Sequence, residues 1–335
     1  MLAFVINGKL DASISEVAMP PLAIDEVRIK VSYVGICGSD LHYYFEGANG
    51  AFVVKEPLIP GHELSGIIDE DPSGHFAPGT RITLNPATYG ECDEGIEDKP
   101  YLWPKGAYLG SASTQPHTQG AMSEYFIAKK SMVREIPENL DLSLAALAEP
   151  LGVALHAINV AGGVFQKDVL VSGSGPIGLC VVAAAKILGA RTITSSDILP
   201  KALQRAVEVG ASNTIHIGQD EMPQNNFDIV FECSAAPVAI SSALKAVRRA
   251  GIVVQVGMLG ASAQPIEIAP LISKEIQLRG SFRFHDEITE AIKLLSENPW
   301  VKSIITHELP MADALEAFSL AKDAEKSGKV LVRIA

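Results

Sequence analysis

The chain has 335 residues, of which 47% are hydrophobic and 20% charged, with a formal net charge of −12. That length suits two domains with a sizeable core. The acidic balance argues against nucleic acid and against an anionic membrane surface, since both are bound through basic patches.

The opening residues Met1-Leu2-Ala3-Phe4-Val5-Ile6-Asn7-Gly8 lack the basic start and long apolar run of a signal peptide. The most apolar run, Ile177 to Ala185, stops at Lys186, short of a membrane span. Four cysteines, at 37, 92, 180 and 233, are too scattered for a disulfide framework. The expectation is a cytoplasmic protein in a reducing compartment.

Residues 1 to about 147 read as mostly β. Val27, Ile29 and Val31 alternate with Arg28, Lys30 and Ser32, the pattern of a half-buried strand. Further strands are expected over 64–69, 80–84 and 121–128, with Gly and Pro between them as in small barrels. Residues 85–120 form a long Gly- and Pro-rich loop, of a length that in a compact domain serves function or interaction. Tyr101 and Trp103 would be costly to leave bare, so part of this loop should pack on something.

From about residue 148 the rhythm changes to strands alternating with helices. Strands are expected over 168–172, 192–196, 227–232 and 252–256, and helices over 176–188, 201–209 and 238–247. Gly189 and Gly210 close the first two helices. Such alternation implies a parallel sheet covered on both faces. The tail shows helices over 287–296 and 311–321 and a last strand over 329–334, and the chain should leave the parallel sheet near Arg283.

Three short passages carry metal-binding chemistry: Ile36-Cys37-Gly38-Ser39-Asp40-Leu41-His42, Gly61-His62-Glu63 and Ala148-Glu149-Pro150-Leu151. A thiolate, an imidazole and carboxylates together hold one zinc ion, and three protein ligands with an open position make a catalytic site. Taken singly, Cys37 also suits a buried apolar position, His62 a satisfied core site and Glu63 a strand start.

The run Gly173-Ser174-Gly175-Pro176-Ile177-Gly178 sits between an expected strand and an expected helix, the context that gives this fingerprint meaning. Its glycines allow a tight turn, close approach of a pyrophosphate and close helix–strand packing, and the helix N-terminus favours phosphate. Pro176 suits the first helical turn. Asp197 lies 19 positions beyond Gly178, at the end of the next strand, where a carboxylate accepts from ribose hydroxyls and repels a 2′-phosphate. NAD is therefore favoured; Ser195, Ser196 and Lys201 nearby leave NADP use open.

Taken together these passages resemble the medium-chain dehydrogenases with catalytic zinc, over nearly the whole chain. Glu149 stands where alcohol-dehydrogenase members carry cysteine and sorbitol-type members glutamate, so the likeness is to the polyol branch. Asp40-Leu41-His42-Tyr43-Tyr44 and Arg279-Gly280-Ser281-Phe282-Arg283-Phe284 are most similar to the sugar-acid enzymes of that branch, the L-idonate 5-dehydrogenases. The resemblance implies an α/β protein: a GroES-like β-barrel catalytic domain over 1–147 and 284–335, and a Rossmann doubly wound parallel sheet over 148–283.

Carried over by position, Cys37 and His62 match zinc ligands, and Glu63 and Glu149 match acidic groups that bind zinc directly or through its water. Ser39 and His42 match positions near the substrate hydroxyl, and Arg283 matches an arginine that contacts the sugar chain. The family's second, structural zinc needs four cysteines in the long loop. The corresponding positions here are Tyr89, Cys92, Gly95 and Trp103, so one catalytic ion and no structural zinc are expected. The implied partners are a small sugar acid or polyol and further copies of the chain, as a dimer or tetramer.

Two rival readings follow. One is a sorbitol- or xylitol-type polyol dehydrogenase. The other is a dinucleotide-binding module without turnover, which would need the glycine fingerprint but not Cys37, His62, Glu63 and Glu149 together.

Overall fold

A computed structural model describes residues 1–260 and 262–334. Two sheets organise the chain. The first runs, by strand, Val133–Glu135, Arg81–Leu84, Glu63–Glu70, Glu26–Gly35, Lys329–Arg333 and Ile305–Pro310, with Tyr125–Lys129 also paired to Glu26–Gly35. Alternation in the central strand works as expected: Val27, Ile29, Val31 and Val34 are fully buried in a core with Leu64, Ile82, Leu84 and Phe318. The tail belongs to this sheet, because Lys329–Arg333 pairs antiparallel with Glu26–Gly35, Leu331 opposite Gly35.

The second sheet is parallel throughout and has six strands: Asn213–His216, Thr192–Asp197, Asp168–Ser172, Phe227–Glu232, Val247–Gln255 and Gln277–Gly280. In chain order that is 3-2-1-4-5-6, so the direction of winding reverses between Asp168–Ser172 and Phe227–Glu232. A dinucleotide binds in the crevice at such a reversal. The helices Ala148–Ala161, Pro176–Ile187 and Glu287–Glu297 share one core with this sheet.

The strand expected over 121–128 is Tyr125–Lys129 only. Residues 120–122 instead bond backbone to backbone with Ile59, Gly61 and Pro60, which holds the segment before His62. The helix expected over 311–321 divides into a 3-10 turn, Met311–Asp313, and an α-helix, Ala314–Lys322. Among the described residues no helix is long and apolar enough to cross a membrane.

Candidate metal centre and cofactor crevice

Cys37 lies two residues beyond the central strand of the first sheet, Glu26–Gly35, and caps the helix Gly38–Glu46. There the free N–H groups of the first turn favour an anion. Glu63 begins the neighbouring strand, with His62 immediately before it, and Gly35 pairs with Glu63. Donor atoms of Cys37, His62 and Glu63 lie within 4.8 Å of one another. Gly35 makes this possible: a Cβ there would stand 2.2 Å from Glu63 Oε2.

Two residues fix this cluster that sequence reasoning missed as site residues. Asp40 is fully buried; its Oδ2 accepts from the Cys37 N–H at 3.0 Å and its Oδ1 from the Gly61 N–H at 3.2 Å. One carboxylate thus ties both ligand-bearing segments together. Its position three residues into the helix that Cys37 caps was the available signal. Lys329, from the last strand, is 1% exposed and donates to both Glu63 oxygens at 2.6 Å and to the Ile36 carbonyl at 3.0 Å. Nothing local marks it, since its partner is 266 positions away.

The electrostatics are those of a buried ionic cluster. Burial lowers the His62 pKa, but the Cys37 sulfur, Asp40 and Glu149 outweigh it and push it up to about 10. Burial works against Lys329 too, yet Glu63 and Cys37 hold its ammonium above the ordinary lysine range. The His62 Nδ1 is buried without a hydrogen-bond partner among the described residues. A thiolate, an imidazole with an orphaned ring nitrogen and a carboxylate form the donor set that zinc accepts.

Glu149 sits in the first turn of Ala148–Ala161, and its Oε1 accepts from the Tyr108 hydroxyl at 2.5 Å. Burial raises its pKa and Glu63 adds to that, while His62 and Tyr108 oppose it. Of the residues expected near a substrate hydroxyl, Ser39 is half-buried beside Cys37, and His42 is 52% exposed and paired with Glu46 on its own helix. Arg283 reaches the site. Its guanidinium carbon lies 4.2 Å from the Tyr108 ring centroid and 4.8 Å from that of Phe282. Burial lowers its pKa, partly offset by Tyr108 and Glu149, and among the described residues it has no carboxylate partner in an ion pair.

The long loop forms one wall here. A cavity of about 160 Å³ is lined by Tyr89, Tyr101, Trp103, Phe282 and Arg283 among others. Trp103 Nε1 donates to the Ile96 carbonyl at 2.9 Å, Tyr101 meets His156 edge-on at 4.8 Å, and Tyr89 and Asn85 both donate to the His285 carbonyl. Packing and hydrogen bonds therefore hold the loop, and Cys92 is exposed.

In the crevice of the parallel sheet, Gly173 has φ +95°, and a Cβ on Gly178 would stand 1.9 Å from the Gly173 carbonyl. Gly175 differs. A Cβ there would meet no protein atom within 4 Å, so packing places no demand for glycine. The space it leaves at the helix N-terminus fits a closely approaching pyrophosphate. Pro176 and Ile177 open the helix. Asp197 Oδ2 accepts from the Ser174 N–H at 2.7 Å and Oδ1 from the Leu199 N–H at 2.9 Å, which binds the glycine turn to the next strand. Lys201 is exposed in the following helix. The same helix that the fingerprint opens carries Cys180, pushed up to about 12 by burial, with Lys329, Glu63 and Glu149 also acting on it. The same helix passes the start of the last strand, where a Cβ on Gly328 would stand 3.4 Å from Leu179 Cδ1.

Residues 176–297 match the zinc-binding dehydrogenase family, and residues 23–138 match the alcohol dehydrogenase GroES-like domain. The chain belongs to the zinc-binding dehydrogenases. This zinc-binding dehydrogenase is 37% identical to an L-idonate 5-dehydrogenase (NAD(P)(+)) of Escherichia coli strain K12, over 90% of each chain. It is 34% identical to the sorbitol dehydrogenase of Gallus gallus, over 97% of this chain and 94% of the relative. The crystal structure of L-idonate 5-dehydrogenase from Escherichia coli K-12 superposes with a TM-score of 0.94 at 35% identity, covering 99% of this chain and 98% of the other. A 2R,3R-butanediol dehydrogenase from Bacillus subtilis follows the same fold, with a TM-score of 0.87 at 26% identity and coverage of 100% and 99%. The GroES-like and Rossmann architecture expected of the chain is thus present.

Proposed function

We propose that this dehydrogenase oxidises a secondary alcohol of a sugar acid, L-idonate to 5-ketogluconate, with NAD. The observation that carries the acid over a neutral polyol is Arg283, a largely desolvated guanidinium without a carboxylate partner among the described residues, stacked on Tyr108 next to Glu149. In an acidic protein such a group suits an anionic substrate. Both relatives' names support a sugar-derived alcohol, and the sorbitol-type polyol is the second reading.

Cys37, His62 and Glu63 would hold one catalytic zinc, with Glu149 joining them directly or through a water. When bound, zinc supplies Lewis acidity to the alcohol oxygen and the dinucleotide accepts the hydride. The chain's own residues place and charge these parts. Asp40 fixes Cys37 and His62, and Lys329 balances Glu63. Ser39 and His42, in the helix after Cys37, are the groups through which the alcohol proton would pass to solvent. Asp197 would accept from the adenosine ribose, and Gly173, Gly175, Pro176, Ile177 and Gly178 would seat the pyrophosphate, with Lys201 at the edge of the ribose site.

The test is a panel of L-idonate, sorbitol and xylitol with NAD and NADP, on wild type and Arg283→Ala. The expected result is turnover of L-idonate in zinc-loaded wild type. In the variant, the KM for L-idonate should rise at least ~10-fold, the worth of a charge-assisted contact, against little change for neutral polyols. Equal changes for acid and polyol would remove Arg283 from substrate binding. Retained turnover in a metal-free Cys37→Ser protein would overturn the zinc site.

A further inference from the structure

Tyr108 comes from the long loop, in a short strand, Ala107–Tyr108, paired with Ala87–Thr88. It is 7% exposed and touches three residues that the function needs. Its hydroxyl donates to Glu149 at 2.5 Å. Its ring meets the His62 ring edge-on, centroids 5.3 Å apart. Arg283 lies over the same ring at 4.2 Å. A phenol can do all of this at once, because it carries a donor at its tip and a π face that attracts a guanidinium. Phenylalanine would keep the ring contacts and lose the donor.

We infer that Tyr108 is a positioning residue that joins the two halves of the site: its hydroxyl sets the Glu149 carboxylate toward the metal cluster, and its ring seats the Arg283 guanidinium for the substrate's anionic group. This deepens the zinc-dehydrogenase reading and rests on it. Groups that orient a metal-site carboxylate are worth roughly 10–100-fold in metal affinity or rate when removed. Arg283 also holds φ +53°, a backbone conformation that L-residues adopt at a cost. Through Tyr108 the long loop contacts both Glu149 and Arg283.

Tyr108→Phe and Tyr108→Leu separate the two roles. In Tyr108→Phe, zinc should pass to a competing chelator roughly 10–100-fold faster than from wild type, and kcat should fall in the same range, with the KM for L-idonate nearly unchanged. Tyr108→Leu should show those losses and also raise the KM for L-idonate by about 3–30-fold, the worth of a desolvated cation–π contact, leaving the KM for sorbitol unchanged. A residue that only supports the fold would not split zinc release from acid-specific KM in this way. NADH binding, read by its fluorescence, checks that both variants are folded. If Tyr108→Leu does not fold, zinc release from Tyr108→Phe decides alone. The inference is overturned if Tyr108→Phe releases zinc and turns over as wild type does, or if Tyr108→Leu raises both KM values equally. Wild type that binds no zinc would count against the function itself, and is scored before either variant.

Discussion

Lys329→Met tests the charge balance of the metal centre. Lys329 and Glu63 are both almost inaccessible to solvent, and the Nζ lies 2.6 Å from each carboxylate oxygen. At that distance an effective dielectric of about 20 gives an attraction of about 6 kcal/mol. Desolvation consumes part of it, and breaking such a pair from one side costs about 3–5 kcal/mol, because a charge is left buried and alone. For 335 residues the unfolding entropy near 60 °C is about 0.7 kcal/mol/K, so the metal-free variant should melt about 4–7 °C below metal-free wild type. Glu63 has a second candidate counter-charge, since the cluster it shares with Cys37 and His62 is the proposed zinc site. Zinc should therefore shrink the gap by half or more, which calorimetry with chelator and with zinc would read. In Lys329→Met with Glu63→Gln, removing both charges should recover most of the metal-free loss. A metal-free drop of less than about 1 °C, or a gap that zinc leaves unchanged, would refute the reasoning.

Asp197→Ala should raise the KM for NAD roughly 10–100-fold, the worth of hydrogen bonds to a charged group, with a smaller effect on NADP; steady-state kinetics with both cofactors would show it, and parallel losses would remove Asp197 from the ribose site. Burial would raise the Glu287 carboxyl, but the His156 ring at 2.7 Å and the His285 N–H outweigh it and bring it down to about 2. A carboxyl lowered from its ordinary 4.5 stabilises the fold above that pH and loses the contribution as pH falls toward 2. Glu287→Gln should therefore be less stable by about 2 kcal/mol at pH 6, after discounting for partial exposure. That gap in urea midpoint should narrow below pH 4.5, and a gap that widens on acidification would contradict the sign.

The elements legible from sequence were those whose pattern is local and strong. Asp168–Ser172 and Phe227–Glu232 are built around the short apolar runs 169–171 and 229–231, and match to the residue. The helix Ala148–Ala161 showed no amphipathic stripe, because it is buried nearly all round, and a helix without a polar face has no periodicity to read. The strands Asn213–His216 and Gln277–Gly280 lie at the two edges of the parallel sheet, where partial exposure leaves polar residues in place of an apolar run.

The sequence by itself determined the chemistry on offer: a thiol, an imidazole and carboxylates in short passages, and a glycine turn between a strand and a helix with an aspartate at the next strand end. Those signals are local because turn geometry and helix capping act over a few residues. Only the tertiary structure decided which groups hold them. Lys329 meets Glu63 because the last strand pairs with Glu26–Gly35, and Tyr108 meets Glu149 and Arg283 because the long loop folds back over the site. Such contacts join residues tens to hundreds of positions apart, where sheet order and packing set the partners and no local propensity can.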